Sequence, residues 1–98
     1  QVIILPVSEK QRDYAEKLNK RLEDLNIRAE ADLRSEKVGY KIREAQMQKI
    51  PYMLVVGDKE MESGSVSVRD RKEGDIGVMK FEDFLSKIQD EIKNKTNK

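Results

Sequence analysis

The sequence contains no cysteine and no histidine. Their absence excludes disulfide bonds and thiol chemistry, and it removes the usual zinc ligands and the commonest general base of enzymes. An ordinary hydrolase is therefore a poor interpretation. No apolar run approaches the roughly 20 residues of a membrane span, and no segment has the order of a signal peptide. We expect a cytoplasmic protein that does not contact a membrane.

Aromatic residues are also scarce, at 5% of the chain, so the core must come from aliphatic side chains at regular spacing. Lys and Arg number 20 against 19 Asp and Glu, which gives a net charge of +1. This balance argues against a polycation that coats nucleic acid, so any nucleic-acid site must be local. The 98 residues suit one domain, spanning 1–98. Because the chain enters an apolar run directly from Gln1, we expect it to be a piece of a longer protein.

Five segments have the patterns of β-strands. Two of them are almost continuously apolar, as in strands buried on both faces, and the others alternate between apolar and polar residues. Pro51 disfavours helical geometry at Ile50 and suits the start of a strand. The predicted strands are Val2–Val7 and the segment after Pro51, both buried, then Ile27–Asp32 near an edge, Val66–Arg69 antiparallel to its predecessor, and Ile76–Met79.

Three segments have the apolar spacing of amphipathic helices. Ser8 followed by Gln11 resembles a capping box at the start of the first helix. In the second helix, expected over about 36–49, Val38, Ile42 and Ala45 form the apolar face, with Lys37, Lys41, Glu44 and Gln48 opposite. The apolar stripes of the other two helices are Tyr14, Ala15, Leu18, Leu22 and Leu25 in the first, and Phe81, Phe84, Leu85, Ile88 and Ile92 in the third.

Strands that alternate with helices predict an α/β domain of three layers, with parallel strands joined by right-handed crossovers. In such sheets ligands bind beyond the carboxyl ends of the parallel strands. The loop 32–37 and the turn 57–60 leave their strands at that edge. Ser67 and Arg69 share the polar face of the fourth strand. We therefore expect these three segments to converge on one corner.

Each residue of this corner also has a plain structural explanation. Ser35 could cap the second helix, which is compatible with ligand contact. Gly39 is costly in a helix, so either the sheet packs closely there or a ligand approaches its backbone. Arg43 could be a solvated residue at the border of the apolar face. Lys37 and Lys41 are like charges one turn apart, which a phosphate would stabilise.

The remaining corner residues can be explained in the same way, Asp58 and Glu60 as parts of a polar turn and Arg69 as a surface residue of a strand. Together, however, arginine, lysine and a carboxylate suit nucleobase edges and a sugar-phosphate backbone. Tyr40 is the nearest aromatic candidate for stacking. No catalytic grouping is present in the sequence.

Three segments, "D-L-R-S-E-K-V-G-Y-K-I-R-E", "I-P-Y-M-L-V-V-G-D-K-E" and "V-S-V-R", closely resemble the C-terminal anticodon-binding domain of bacterial threonyl-tRNA synthetases. The resemblance covers essentially the whole chain. Related synthetases for glycine, histidine and proline share the "P-Y-x-x-x-x-G" strand but resemble the first segment less. The resemblance implies a five-stranded mixed sheet with three helices, which recognises the guanine and uracil of the threonine anticodon.

The resemblance also implies the site residues. Arg43, Glu60 and Arg69 match anticodon-binding positions, and Ser35 stands where the family usually has asparagine. Lys37 and Lys41 are our candidates for contacts with the tRNA backbone. This domain would hold no metal or cofactor, since ATP, zinc and threonine belong to other domains of the full enzyme. The implied partners are threonine tRNA and the catalytic domain of the same synthetase, whose full form would be a homodimer.

Two other classes of function stay open at this point. A small enzyme or nucleotide-binding domain is compatible with the fold class, but the sequence has no glycine-rich phosphate loop, histidine or cysteine to supply the chemistry. A related chain could instead keep the fold as a regulatory or dimerisation module. By itself the fragment is expected to be catalytically inert.

Overall fold

The computed structural model describes residues 2–72 and 74–96. Five strands and four α-helices follow one another along these ranges. In chain order they are β1 (Val2–Pro6), a 3-10 turn (Glu9–Gln11), α1 (Arg12–Asp24), β2 (Ala29–Ala31), α2 (Val38–Met47), β3 (Tyr52–Val56), α3 (Asp58–Ser63), β4 (Ser65–Asp70), β5 (Gly74–Lys80) and α4 (Phe81–Thr96). None of the helices in these ranges has the length and hydropathy to cross a membrane.

The strands form one mixed sheet in the order β2-β1-β3-β4-β5. β1 pairs in parallel with both β2 and β3, while β3–β4 and β4–β5 are antiparallel. The predicted mixed sheet is therefore confirmed, as are the parallel direction of β1, β2 and β3 and the antiparallel direction of β4. Because β1, β2 and β3 are parallel, the loops that follow them leave the sheet at the same edge.

Helices cover both faces of the sheet, as the three-layer prediction requires. The larger core lies on the face of α1 and α4, where Ile4, Leu54 and Val68 are fully buried against Leu22 and Phe84. On the other face, α2 packs through Val38, Ile42 and Ala45 on Ile3, Leu5 and Met53. The apolar stripes of the helices are confirmed except for Leu25, which is exposed at the end of α1. Ile92 lies outside the residues whose side chains are described.

A fourth helix, α3, corrects the expectation of three helices. The segment was expected to be a turn because six residues are too few to show an apolar period. Two local features form the helix. The Glu60 carboxylate accepts the Gly57 N–H at 2.6 Å at its start, and Gly64, with φ of +67°, ends it in a left-handed conformation.

A β-bulge in β5 decides which of its residues face the core. Val68 lies opposite Gly77 and Arg69 lies opposite Asp75, so Ile76 is the extra residue. Ile76 packs on the core beneath α1 and α4. The bulge thus keeps apolar residues of β5 on the core face while Asp75 and Val78 remain exposed.

The layer formed by α2 is narrower than the sheet. Its apolar residues contact β1 and β3, and β4 and β5 extend beyond it on the same face. There Val55 of β3 lies opposite Ser67, and Ser67 lies opposite Val78. Ser67, Arg69 and Val78 therefore occupy a part of the sheet that α2 does not cover, which we call the open face.

Candidate nucleic-acid interface

One flank of α2 borders the open face. Glu44 and Gln48 line a groove with residues of β2, so this side of the helix is turned toward β2. By helical periodicity Gly39 and Arg43, one turn apart, lie on the opposite flank, toward β4. A Cβ built on Gly39 would have no heavy atom within 4 Å, so close packing against the sheet does not explain this glycine. The flank is open beside Arg43.

The guanidinium groups of Arg43 and Arg69 have no ion pair or side-chain hydrogen bond within the described part of the chain. Several other arginines do have partners there: Arg12 pairs with Glu16, Arg21 with Glu82, Arg34 with Asp32 and Glu44, and Arg71 with the carbonyl of Lys49. Two arginines beside the open face thus keep all their donors for a ligand.

Arg34 holds the loop between β2 and α2 in place. Its Nε and Nη2 donate to the two oxygens of Asp32 at 2.9 and 2.8 Å, and Nη2 also contacts Glu44 on α2. The guanidinium lies 5.8 Å from the centre of the Tyr40 ring. The hydrogen bonds from Arg34 hold the pKa of Asp32 below its ordinary value. The charges of the "D-L-R" run therefore pair within the domain and fix the loop between β2 and α2.

Lys41 is not on the exposed side of α2, and that expectation was wrong. Its side chain is only 3% exposed. Its Nζ donates to the carbonyl oxygens of Asp32 at 3.1 Å and Pro6 at 3.4 Å, at the ends of β2 and β1. Burial lowers the pKa of this ammonium group, and the nearby Asp32 carboxylate opposes that change. Lys41 therefore joins two strand ends, whereas Lys37 is exposed at the start of α2.

Ser35 lies in the loop between β2 and α2 and is exposed. It does not cap α2, because the helix begins later than expected and Lys37 occupies the N-cap. The loop turns through Asp32, whose carboxylate accepts the Arg34 N–H at 3.2 Å. Ser35 and Lys41 line a cavity of about 140 Å³ between the loops that follow β1 and β2. This is the crevice at the carboxyl ends of the parallel strands where α/β sheets bind ligands.

Glu60 lies at the same edge, in the first turn of α3. Its Oε1 accepts the Gly57 N–H, so one carboxylate oxygen has a structural role. The residue is half-buried. Gln11, one turn from the end of β1, donates to Asp58 at 2.6 Å and ties the start of α3 to the start of α1. The first turn of α3, which contains Glu60, is therefore fixed by the Gly57–Glu60 and Gln11–Asp58 hydrogen bonds.

The predicted site residues do not all meet in one corner. Ser35 and Glu60 follow β2 and β3 at the carboxyl edge, as expected. Arg69, however, lies opposite Met53, near the start of β3, because β4 runs antiparallel to β3. Three residue steps separate Met53 from Val56, which is roughly 10 Å along a strand. The candidate residues therefore extend from the carboxyl edge down the open face, past Arg43.

Three features of this region have no clear signal in the sequence. The contact between Arg34 and Glu44 depends on where α2 places Glu44, and the burial of Lys41 depends on how α2 packs across the strand ends. Val78 joins the open face through its pairing with Ser67. A like-charge pair at 37 and 41 could have suggested that one of the two lysines has an internal partner. Within the described residues, no cluster of three Asp or Glu side chains could hold a metal ion.

The fold and the open face define an α/β domain with an uncovered, arginine-bordered sheet surface suited to nucleic acid. The family model described as "Anticodon binding domain" matches residues 1–91, and the chain belongs to this family. This match confirms the resemblance to an anticodon-binding domain.

Curated relatives are threonine–tRNA ligases. The chain is 61% identical over 97 residues to that of Acetivibrio thermocellus, and the match covers 99% of this chain and 15% of the relative. It is 57% identical over 96 residues to that of Desulforamulus reducens, with 98% and 15% covered. The chain thus spans about 15% of the length of these relatives.

A solved structure has the same fold. It is the RNA binding domain of threonyl-tRNA synthetase from Cryptosporidium parvum, with a TM-score of 0.87 and 27% identity. The match covers 92% of this chain and 23% of that one.

Proposed function

We propose that this chain is the tRNA-recognition domain of a bacterial threonine–tRNA ligase and that it binds the anticodon of threonine tRNA. The family match and the threonine–tRNA ligase relatives support this assignment over a glycine, histidine or proline enzyme. A separate regulatory or dimerisation module is not favoured by any of the relatives described above.

One structural observation carries the proposal. Arg43 and Arg69 border an uncovered sheet face, and neither has a partner within the described chain. Unpaired bases of a tRNA loop offer carbonyl oxygens and ring nitrogens as acceptors for such donors. A protein that used these arginines only for its own stability would be expected to pair them, as it does Arg34.

The other site residues have complementary roles in this proposal. Glu60 accepts hydrogen bonds from base N–H groups through the carboxylate oxygen that does not cap α3. The Ser35 hydroxyl, exposed at the crevice, donates or accepts where the family usually has an amide. Lys37 contacts the sugar-phosphate backbone. Lys41 has no RNA contact in this proposal, because its ammonium group donates to two backbone carbonyl oxygens.

The remaining steps of the ligase reaction fall outside this domain. We propose that threonine activation with ATP, the zinc site and the transfer to tRNA belong to the rest of a longer ligase chain, which acts in the cytoplasm as a homodimer. This domain would contact the catalytic domain of the same chain, and its own contribution is to select the tRNA.

Binding of the chain to tRNA tests the proposal. The dissociation constant is measured at one salt concentration for threonine tRNA and for the same tRNA with its anticodon guanine and uracil exchanged for other bases. We expect each exchange to weaken binding by about 1 to 3 kcal/mol. Equal affinities for all anticodons would overturn the proposed function, as would the absence of binding.

A further inference from the structure

Val78 is an apolar side chain in the middle of the open face. It is 63% exposed although it belongs to the sheet, because the layer of α2 ends at β3. Its cross-strand neighbour is Ser67, and Arg69 lies diagonally from it on β4. Single exposed apolar residues are common and need no explanation. The position of Val78 is distinctive because Ser67 and Arg69, the polar residues beside it on β4, have no side-chain partner within the described part of the chain.

The groups around Val78 fit the chemistry of a nucleobase. The two faces of a base are apolar, and its edges carry hydrogen-bond donors and acceptors. Val78 offers an apolar spot, while Arg69 on one side and Arg43 across the flank of α2 offer free donors for the edges. Asp75 lies opposite Arg69, and its carboxylate accepts the Gly77 N–H at 2.9 Å. Lys80, two residues beyond Val78, donates to the Ser63 carbonyl.

We propose that Val78 is the apolar floor of the RNA site and that one unstacked base of the anticodon loop packs on its side chain. The inference rests on the function proposed above and adds a contact that no hydrogen-bonding residue supplies. In this proposal the valine contact takes the place that an aromatic ring has in many RNA sites. Stacking on an aromatic ring is the usual way to hold an unpaired base, and no aromatic residue pairs with Val78 across β4.

The test compares the affinity of the wild-type chain and of Val78→Thr for the anticodon stem-loop of threonine tRNA. Threonine keeps the β-branched shape of valine and replaces one methyl group by a hydroxyl, so β5 is preserved. We expect binding to weaken by about threefold to tenfold. Because an apolar contact releases no counterions, the dependence of affinity on salt should not change.

Stem-loops with one abasic anticodon position show whether Val78 contacts a base. At one position, removal of the base should abolish the difference between wild type and Val78→Thr, since the contact is already lost. Leu25→Thr is the control, because Leu25 is also exposed but lies on the opposite side of the sheet, at the end of α1. It should leave affinity unchanged.

The outcomes separate this inference from the proposed function. If wild type discriminates between anticodons but Val78→Thr binds as well as wild type, the contact with Val78 is overturned and the function stands. If the loss in Val78→Thr persists at every abasic position, or equals the loss in Leu25→Thr, Val78 does not contact a base. If wild type does not bind the stem-loop, the proposed function itself fails.

Discussion

Arg21 and Arg43 are both exposed arginines, but Arg21 has partners within the domain. Arg21 pairs with Glu82 and lies 5.2 Å from the centre of the Phe81 ring, which links α1 to α4. Arg43 has no such partner in the described ranges. An arginine held by its own domain has few donors left for a ligand, whereas an unpaired arginine beside an open surface keeps all of them. This difference separates a structural role from a binding role.

The contrast predicts opposite effects of the same substitution. Arg43→Gln or Arg69→Gln should weaken binding of threonine tRNA by about 1 to 3 kcal/mol and change the free energy of unfolding by less than about 0.5 kcal/mol. Arg21→Gln should leave tRNA binding unchanged and lower stability by about 0.2 to 1 kcal/mol, as for an exposed ion pair. Equilibrium binding and urea unfolding measure the two quantities. Loss of tRNA binding in Arg21→Gln would contradict the assignment.

Lys37 and Lys41 also differ in role, since Lys41 has partners within the domain and Lys37 is exposed. Lys41→Ala removes a donor from two carbonyl oxygens at the strand ends, so it should lower the free energy of unfolding by about 1 to 3 kcal/mol. Lys37→Ala should leave stability nearly unchanged, weaken tRNA binding equally for all anticodons, and flatten the salt dependence of binding by about one unit. If the loss in Lys37→Ala depended on anticodon sequence, Lys37 would not be a backbone contact.

Glu60 lies in the short helix α3, where one of its carboxylate oxygens accepts the Gly57 N–H. A test of its role in binding should therefore keep this acceptor. Glu60→Gln keeps an oxygen that can accept the Gly57 N–H, but it replaces the second acceptor by an amide donor. Guanine offers two adjacent donors on its pairing edge, and inosine lacks the exocyclic amino group. If Glu60 reads the anticodon guanine, replacing guanine by inosine should cost wild type on the order of 1 to 3 kcal/mol.

In Glu60→Gln the inosine penalty should be much smaller, because the carboxylate that would accept from the amino group is gone. Arg69→Gln is the control. An arginine that donates to a carbonyl oxygen still finds that oxygen in inosine, so the penalty should persist in this variant. Equal penalties in wild type and Glu60→Gln would remove Glu60 from the recognition site.

The flank of α2 with Gly39 can be tested as an element. A Cβ at this position meets no neighbouring atom, and alanine is a better helix former than glycine. Gly39→Ala should therefore raise the free energy of unfolding by about 0.5 to 1 kcal/mol. If RNA approaches the backbone of this flank, the same variant should bind tRNA more weakly than wild type. A more stable variant with unchanged tRNA affinity would show that RNA does not approach Gly39.

Elements with a long apolar period could be predicted from the sequence, and short ones could not. The stripe in α4 contains enough apolar residues to establish a helical period, and the continuous apolar run of β1 is typical of a strand buried on both faces. The six residues of α3 do not, because a capping carboxylate and a left-handed glycine define this helix. The start of α2 was placed too early because the charged loop before it folds around Asp32 instead of continuing the helix.

At the scale of the whole molecule, the sheet order decides how the site is arranged. The sequence predicted which segments leave the parallel strands at the carboxyl edge, and Ser35 and Glu60 do lie there. The antiparallel direction predicted for β4 already implies that Arg69, near the end of that strand, lies toward the start of β3, and only the exact register with Met53 required the structure. The burial of Lys41 likewise depends on how α2 packs across the strand ends.

The net charge of +1 fits a recognition surface that extends along one face rather than a generally cationic molecule. The anticodon loop would meet the flank of α2, the first turn of α3 and the open face together. The face covered by α1 and α4 would remain free of RNA. The anticodon is therefore expected to contact the α2 side of the sheet and not the side covered by α1 and α4.

The most direct measurement of that claim is a titration of the isotope-labelled chain with the threonine anticodon stem-loop, followed through its backbone amide NMR shifts. We expect shift changes at Gly39 and Arg43, at 57–60 in the N-cap and first turn of α3, and at 67–69 and Val78. The amides of 82–91 in α4 should not shift. Changes confined to α1 and α4, or an identical pattern with a stem-loop whose anticodon bases are all exchanged, would contradict the claim.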